Sequence, residues 1–179
     1  MPMILSNRKN HTYGKRLSLI LIILSTFMLF AACSSNGGNA PEALTITCTE
    51  GNRTAALGNR KSAFDAAFGE AEDIGHGGFN YLDGALQIEV QGGKVVGFQV
   101  NAYPYPGRIG LPGLSWDMTL EDLHEKLIAT DFMTSEGGIF NQFFDSGGNI
   151  VPQEESAYTM IVAYFEPAGL VYVVLHESE

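Results

Sequence analysis

The chain has 179 residues, 20 of them acidic and 10 basic, for a formal net charge of -10 at pH 7. Four of the basic residues, Arg8, Lys9, Lys15 and Arg16, precede an apolar run with the marks of a cleavable signal; removing residues 1–32 leaves 147 residues with 6 basic and 20 acidic side chains, a net charge of -14. That length suits one domain or two small repeats, and so acidic a surface argues against nucleic acid and against adsorption through a basic patch.

Residues 17–30 (LSLILIILSTFMLF) form an uncharged apolar run of 14 residues that decays into Ser34, Ser35, Asn36 and Gly37. A spanning helix needs roughly 20 apolar residues, so a transmembrane anchor is the weaker alternative to a signal segment. Leu29-Phe30-Ala31-Ala32-Cys33 resembles the lipobox of bacterial lipoproteins, with Phe30 at a place more often held by an aliphatic residue. The resemblance implies cleavage before Cys33 and a diacylglycerol thioether on its sulfur. With acylation of its amine, that meets the two-chain condition for stable anchoring on the extracytoplasmic face of a membrane. Cys48 is then an unpaired thiol, and its place in the alternating run LTITC beside Leu44 and Ile46 marks it as a small buried hydrophobe.

Residues 33–42 are the lipidated cysteine and a small, polar tether, and folding is expected to begin near Ala43. Leu44, Ile46 and Cys48 share one face of a strand over 44–49. Ala63, Phe64, Ala67, Phe68 and Ala71 recur at spacings of three and four, which predicts a helix over 59–72. Strict alternation over 86–90, the turn Gln91-Gly92-Gly93-Lys94 and a second run over 95–100 predict a β-hairpin. The stretch 103–115 (YPYPGRIGLPGLS) carries three prolines and three glycines, poor material for helix or ladder, and is taken as a connector. Thr119 is the expected N-cap of a second helix, with Glu121 and Asp122 in its first turn and Leu123, Leu127 and Ile128 on one face.

Residues 86–101 (LQIEVQGGKVVGFQVN) align without a gap over 161–176 (IVAYFEPAGLVYVVLH), and each stretch follows an amphipathic helix. The expected fold is α+β: two helix-loop-β-hairpin repeats, 43–102 and 116–179, forming an antiparallel sheet with helices on one face. Trp116-Asp-Met-Thr-Leu-Glu-Asp-Leu, followed by a loop and a closing hairpin, resembles the repeat shared by the β-lactamase inhibitor protein and the SmpA/OmlA envelope-assembly lipoproteins. The loop before the second hairpin is longer than in that family, and the disulfides of the secreted inhibitors are missing. The resemblance implies a non-enzymatic, membrane-anchored module that binds an envelope or secreted protein through an open sheet face.

The gapless alignment gives each strand a phase. In the first copy Leu86, Ile88, Val90, Val96, Phe98 and Val100 take the core face, and Gln87, Glu89, Gln91, Gly97, Gln99 and Asn101 the other. In the second copy the core face is Ile161, Ala163, Phe165, Val171, Val173 and Leu175, leaving Val162, Tyr164, Tyr172, Val174 and His176 opposite. Such an apolar outer face marks a binding surface, unless the stretch 128–158, with Phe140, Phe143 and Phe144, folds over it as a lid. The partner-binding candidates are therefore Val162, Tyr164, Tyr172 and Val174. Tyr103, Tyr105 and Arg108 join them as a second set, with a packed linker as the alternative for these three.

No catalytic residue, metal site or cofactor is singled out. Gly75-His76-Gly77-Gly78 lacks a following Gly-x-Ser-x-Gly elbow, Asp145-Ser-Gly-Gly-Asn149 lacks the spacing of a calcium loop, and His76, His124 and His176 stand far apart. A cell-envelope hydrolase using carboxylate or histidine side chains is the alternative function.

Overall fold

The computed structural model describes residues 40–103 and 107–178. Cys33, the signal segment, most of the tether and Tyr105 lie outside the described residues. A turn of 3-10 helix at Glu42–Leu44 leads into β1 (Thr45–Cys48) and β2 (Arg53–Ala56), then α1 (Lys61–Phe68). There follow β3 (Glu72–Gly75), β4 (Gly78–Tyr81), β5 (Leu86–Gln91), β6 (Lys94–Asn101) and β7 (Ile109–Gly110). The second part holds α2 (Leu120–Lys126), β8 (Ile128–Thr134), β9 (Gly137–Phe144), β10 (Tyr158–Phe165) and β11 (Gly169–Glu177). The architecture is mixed α+β and sheet-rich.

Eight strands form one antiparallel sheet in the order β3-β4-β5-β6-β11-β10-β9-β8, and a smaller sheet runs β2-β1-β7. Each helix thus precedes four strands of the large sheet. Both helices and the small sheet share a core with one face of the large one: Ile46, Phe64, Phe68, Leu123, Phe98, Phe140, Val162 and Val173 belong to a single buried cluster. Phe68 meets Tyr81 with ring centroids 6.3 Å apart, and His124 sits edge-on to Phe140 at 5.2 Å. Cys48 is buried beside Leu44 and Ile46, as the alternation predicts.

The helix starts and stops follow local chemistry. α1 is shorter than its apolar spacing predicts because Gly69 leaves helical space at φ 92°. α2 opens on a capping box: the Thr119 hydroxyl accepts from the Asp122 backbone N–H, and the Thr119 N–H donates to the Asp122 carboxylate at 2.8 Å. Those bonds, the backbone one first, hold Asp122 below the ordinary carboxylate range, so the box is intact above that range and is lost as pH falls through the lowered value. Ile128, expected on the face of α2, instead begins β8 and is exposed, because Leu127 is already extended at φ -120°, ψ 157°.

Three stretches expected as loop or connector are strands. Residues 69–85 contain the hairpin β3–β4, and 128–157 contain β8–β9. Within 103–115, Ile109 and Gly110 pair with Cys48 and Thr47, adding β7 to the small sheet. The β3–β4 turn needs left-handed backbone at both central residues, His76 (φ 54°) and Gly77 (φ 82°).

The two later hairpins differ by one residue in the turn. Gly92-Gly93 joins the pair Gln91↔Lys94, whereas Glu166-Pro167-Ala168 joins Phe165↔Gly169. Each hairpin also carries a bulge on its second strand, leaving Val96 and Val171 unpaired between their neighbours. Beyond the bulges Ile88 faces Phe98, and Val162 faces Val173, so the residue that matches Ile88 in pairing is Val162, where the gapless alignment places Ala163. The gapless alignment is therefore correct for β11 and one residue out for β10. Since strand side chains alternate, that residue moves the whole set across the sheet: Met160, Val162 and Tyr164 join the core, while Ile161, Ala163 and Phe165 lie on the other face. In the first hairpin the bulge also gives the core position expected of Val96 to Val95, which is fully buried.

Gly77→Ala tests the tightest of these turns. A Cβ at Gly77 would lie 2.6 Å from the Val90 carbonyl oxygen, on a backbone that disfavours any side chain. Denaturant unfolding is expected to show a loss of about 2 kcal/mol or more; an unchanged midpoint contradicts the turn.

Candidate functional site

The face of the large sheet opposite the helices divides into two chemistries. On β3 to β6 it presents Glu72, Asn80, Gln87, Glu89, Gln99 and Asn101, and Gln99 donates to the Asn101 side chain at 2.7 Å. On β8 to β11 the facing pairs are mostly apolar, Tyr172 with Ala163, Val174 with Ile161 and Ile139 with Ala163, with Asn141 beside Ile161, and Phe143 and His176 either side of Thr159. The boundary falls at the centre of the sheet, where Asn101 and Gln99 of β6 pair with Tyr172 and Val174 of β11.

Ala163 and Phe143 are buried among their neighbours, whereas Ile161, Phe165, Tyr172 and Val174 are partly exposed. At the β8 edge Ile128 and Phe132 are half-exposed or more, and the Phe132 ring stands 6.1 Å from that of Phe165, which extends the apolar surface to the rim. Glu136 and Glu166 sit at the turns bounding one end, and Glu177 at the other, so the rim is acidic. His176 continues the face beyond Val174, its Nδ1 2.6 Å from the Glu177 carbonyl oxygen.

The expected site residues divide accordingly. Tyr172 and Val174 lie on the outer face. Val162 and Tyr164 do not: they are 0% and 5% exposed in the core, and the physical reason is the one-residue shift of β10. Tyr164 donates its hydroxyl proton to Glu166 at 2.6 Å, and that bond, helped by burial, raises its pKa. The residues missed are Ile161, Ala163 and Phe165, the alternate set of the same strand. The stretch 128–158 does not fold over the second hairpin as a lid; β9 pairs along the length of β10, with Phe140 and Phe144 in the core and only Phe143 on the outer side.

Of the connector residues, Tyr103 is 86% exposed and follows Ala102, whose N–H donates to the Val171 carbonyl of β11. Arg108 is ion-paired to Glu50, Nε to Oε1 at 3.0 Å, beside the Thr49 hydroxyl that donates to the Arg108 carbonyl. The other motifs resolve into turns: Asp145 accepts from the backbone N–H groups of Gly147 and Asn149 and from the Asn149 carboxamide, which holds its pKa below the ordinary range. Among the described residues no group of three or more His, Cys, Asp or Glu side chains is placed to hold a metal ion. His76, His124 and His176 fall on the β3–β4 turn, α2 and β11 respectively.

Compared with known proteins, the chain matches no family, no curated protein and no solved structure.

The two faces of the hairpin are separable by charge. Tyr164→Asp buries an unpaired carboxylate and is expected to cost about 2 kcal/mol or more in thermal or denaturant unfolding. Val174→Asp places the same charge on the outer face and is expected to cost under about 1 kcal/mol. Equal losses, or the reverse order, contradict the assigned phase.

Proposed function

We propose that the chain is a non-catalytic lipoprotein of the cell envelope, anchored through Cys33 on the extracytoplasmic side of a membrane. Its domain binds an envelope or secreted protein through the apolar half of the outer sheet face. The observation that carries this reading is the division of that face: β3 to β6 present amides and carboxylates, whereas β10 and β11 present Ile161, Phe165, Tyr172 and Val174, each partly exposed. Contiguous apolar surface with tyrosine among it, set inside a charged rim, is the composition of a protein contact. The rim acids favour a partner that surrounds its own apolar residues with basic ones.

We further propose that the domain is a tandem duplication of the kind its sequence resembles. In support, each helix is followed by four strands, the strand order is mirrored about the β6–β11 pair, and the last strand on each side carries a bulge at Val96 and Val171. Two such halves joined through their last strands give one continuous platform, which suits a module whose work is contact.

Anchoring and contact are tested separately. Cys33→Ser is expected to leave an unprocessed precursor that no longer takes up a fatty-acid probe in cells; labelling that persists contradicts the anchor. The double substitution of Ile161 and Val174 by Asp is expected to abolish co-purification of a discrete envelope protein with a melting temperature within about 3 °C of the parent. Retention of the same protein at parental yield contradicts the assigned surface.

A further inference from the structure

On the helix side of the sheet, where the chain enters the domain, a concave cavity of about 430 Å³ opens between Pro41–Ala43, the connector at 112–114, the end of α2 and β9–β10. Its walls are mainly apolar, with Leu114, Leu127, Phe144 and Met160 among them. That volume lies within the roughly 300–1,000 Å³ of small-molecule sites. Three side chains on it carry hydrogen-bonding groups of opposite kinds: Glu42, Lys126 and Gln142.

Gln142 is 4% exposed and is the one buried polar side chain among the described residues. It projects from β9 opposite Met160, and among the described residues its carboxamide meets no hydrogen-bond partner. Its polar atoms are not among the fully buried ones that lack a partner, so the carboxamide reaches the cavity, and with no protein group to bond it is left to whatever fills that space. Lys126 is the sole basic residue in 109–178, a stretch with 11 acidic ones. It nevertheless forms no ion pair among the described residues, and neither does Glu42. The cavity therefore combines apolar walls, a buried group that both donates and accepts, one free cation and one free anion.

We infer that this cavity binds a short apolar peptide as a zwitterion, its carboxylate on Lys126, its ammonium on Glu42 and a peptide unit on the Gln142 carboxamide. A carboxamide offers one N–H donor and one C=O acceptor to the complementary pair of a peptide group. Leucine-like side chains fill the space against Leu114, Phe144 and Met160. A plain fatty acid satisfies Lys126 but leaves Glu42 and half of the carboxamide unpaired. The inference stands apart from the contact surface, since Gln142 and Met160 face the core side while Ile161 and Val174 face away from it.

The test is titration calorimetry on the full chain held in nanodiscs of phosphatidylethanolamine and phosphatidylglycerol, with empty nanodiscs as the blank. Tri-leucine is expected to bind saturably, with its N-acetyl and C-amide forms each weaker by about threefold, as for exposed charge pairs. Gln142→Leu is expected to weaken tri-leucine by at least about fivefold with a melting temperature within about 3 °C of the parent. Lys126→Met, which alters an exposed side chain, is expected to remove the penalty for C-amidation. Blocked peptides that bind as well as the free one, laurate that saturates the site when tri-leucine does not, or Gln142→Leu binding tri-leucine as tightly as the parent each overturn the proposal.

Discussion

Side chains on a strand alternate between two faces, so one residue added to a hairpin turn carries every side chain of the neighbouring strand to the other face. In this domain that residue lies in Glu166-Pro167-Ala168, which joins β10 to β11 with three residues where Gly92-Gly93 joins β5 to β6 with two. The consequence is large because β10 (YTMIVAYF) is apolar on both faces. Burying Met160, Val162 and Tyr164 is worth on the order of 1.5–3 kcal/mol for each aliphatic side chain, but burying Ile161, Ala163 and Phe165 instead would gain a comparable amount. Apolar content alone hardly chooses between the two registers. The turn and the bulge at Val171 choose.

From that choice the division of labour follows. The core face takes Met160, Val162 and Tyr164 and closes the cluster that holds both helices and the small sheet. The outer face is left with a second apolar set, which the four strands of the first half do not share, since Gln87, Gln99, Asn80 and Asn101 occupy the matching places there. The boundary between the polar and apolar halves of this face is the edge of the contact area proposed above. The cavity beneath β9 and β10 belongs to the other side, where Gln142 interrupts an otherwise apolar strand face between Phe140 and Phe144.

Much of the scaffold is legible in the residues. Alternation located β1, β5, β6 and β11; Gly92-Gly93 located a turn, and both residues have positive φ as a two-residue turn requires; Thr119 and Asp122 located the start of α2. The hairpins β3–β4 and β8–β9 were not legible, because glycines at 75, 77, 78, 137 and 138 dilute the alternation that signals a strand, and in a sheet of this breadth pairing partners supply what local propensity lacks. β7 was hidden among prolines and glycines, and its two residues are held by β1 and not by their own pattern. The sequence indicates the contrast between a polar and a more apolar half of the outer face. Alternation places Tyr172 and Val174 on the outer face, as the structure does, because β11 carries no offset. Val162 and Tyr164 take the core face instead, because a gapless alignment equates a two-residue turn with a three-residue one, and nothing in YTMIVAYF itself reveals the slip.

The most direct measurement of the central claim is site-specific photo-crosslinking in intact envelopes, with a photoreactive phenylalanine analogue placed in turn at Ile161, Val174, Gln87 and Gln99. The account predicts that Ile161 and Val174 yield one and the same discrete protein adduct while Gln87 and Gln99, on the polar half of the same face, yield none. Adducts of equal strength from all four positions, or none from Ile161 and Val174, would contradict it.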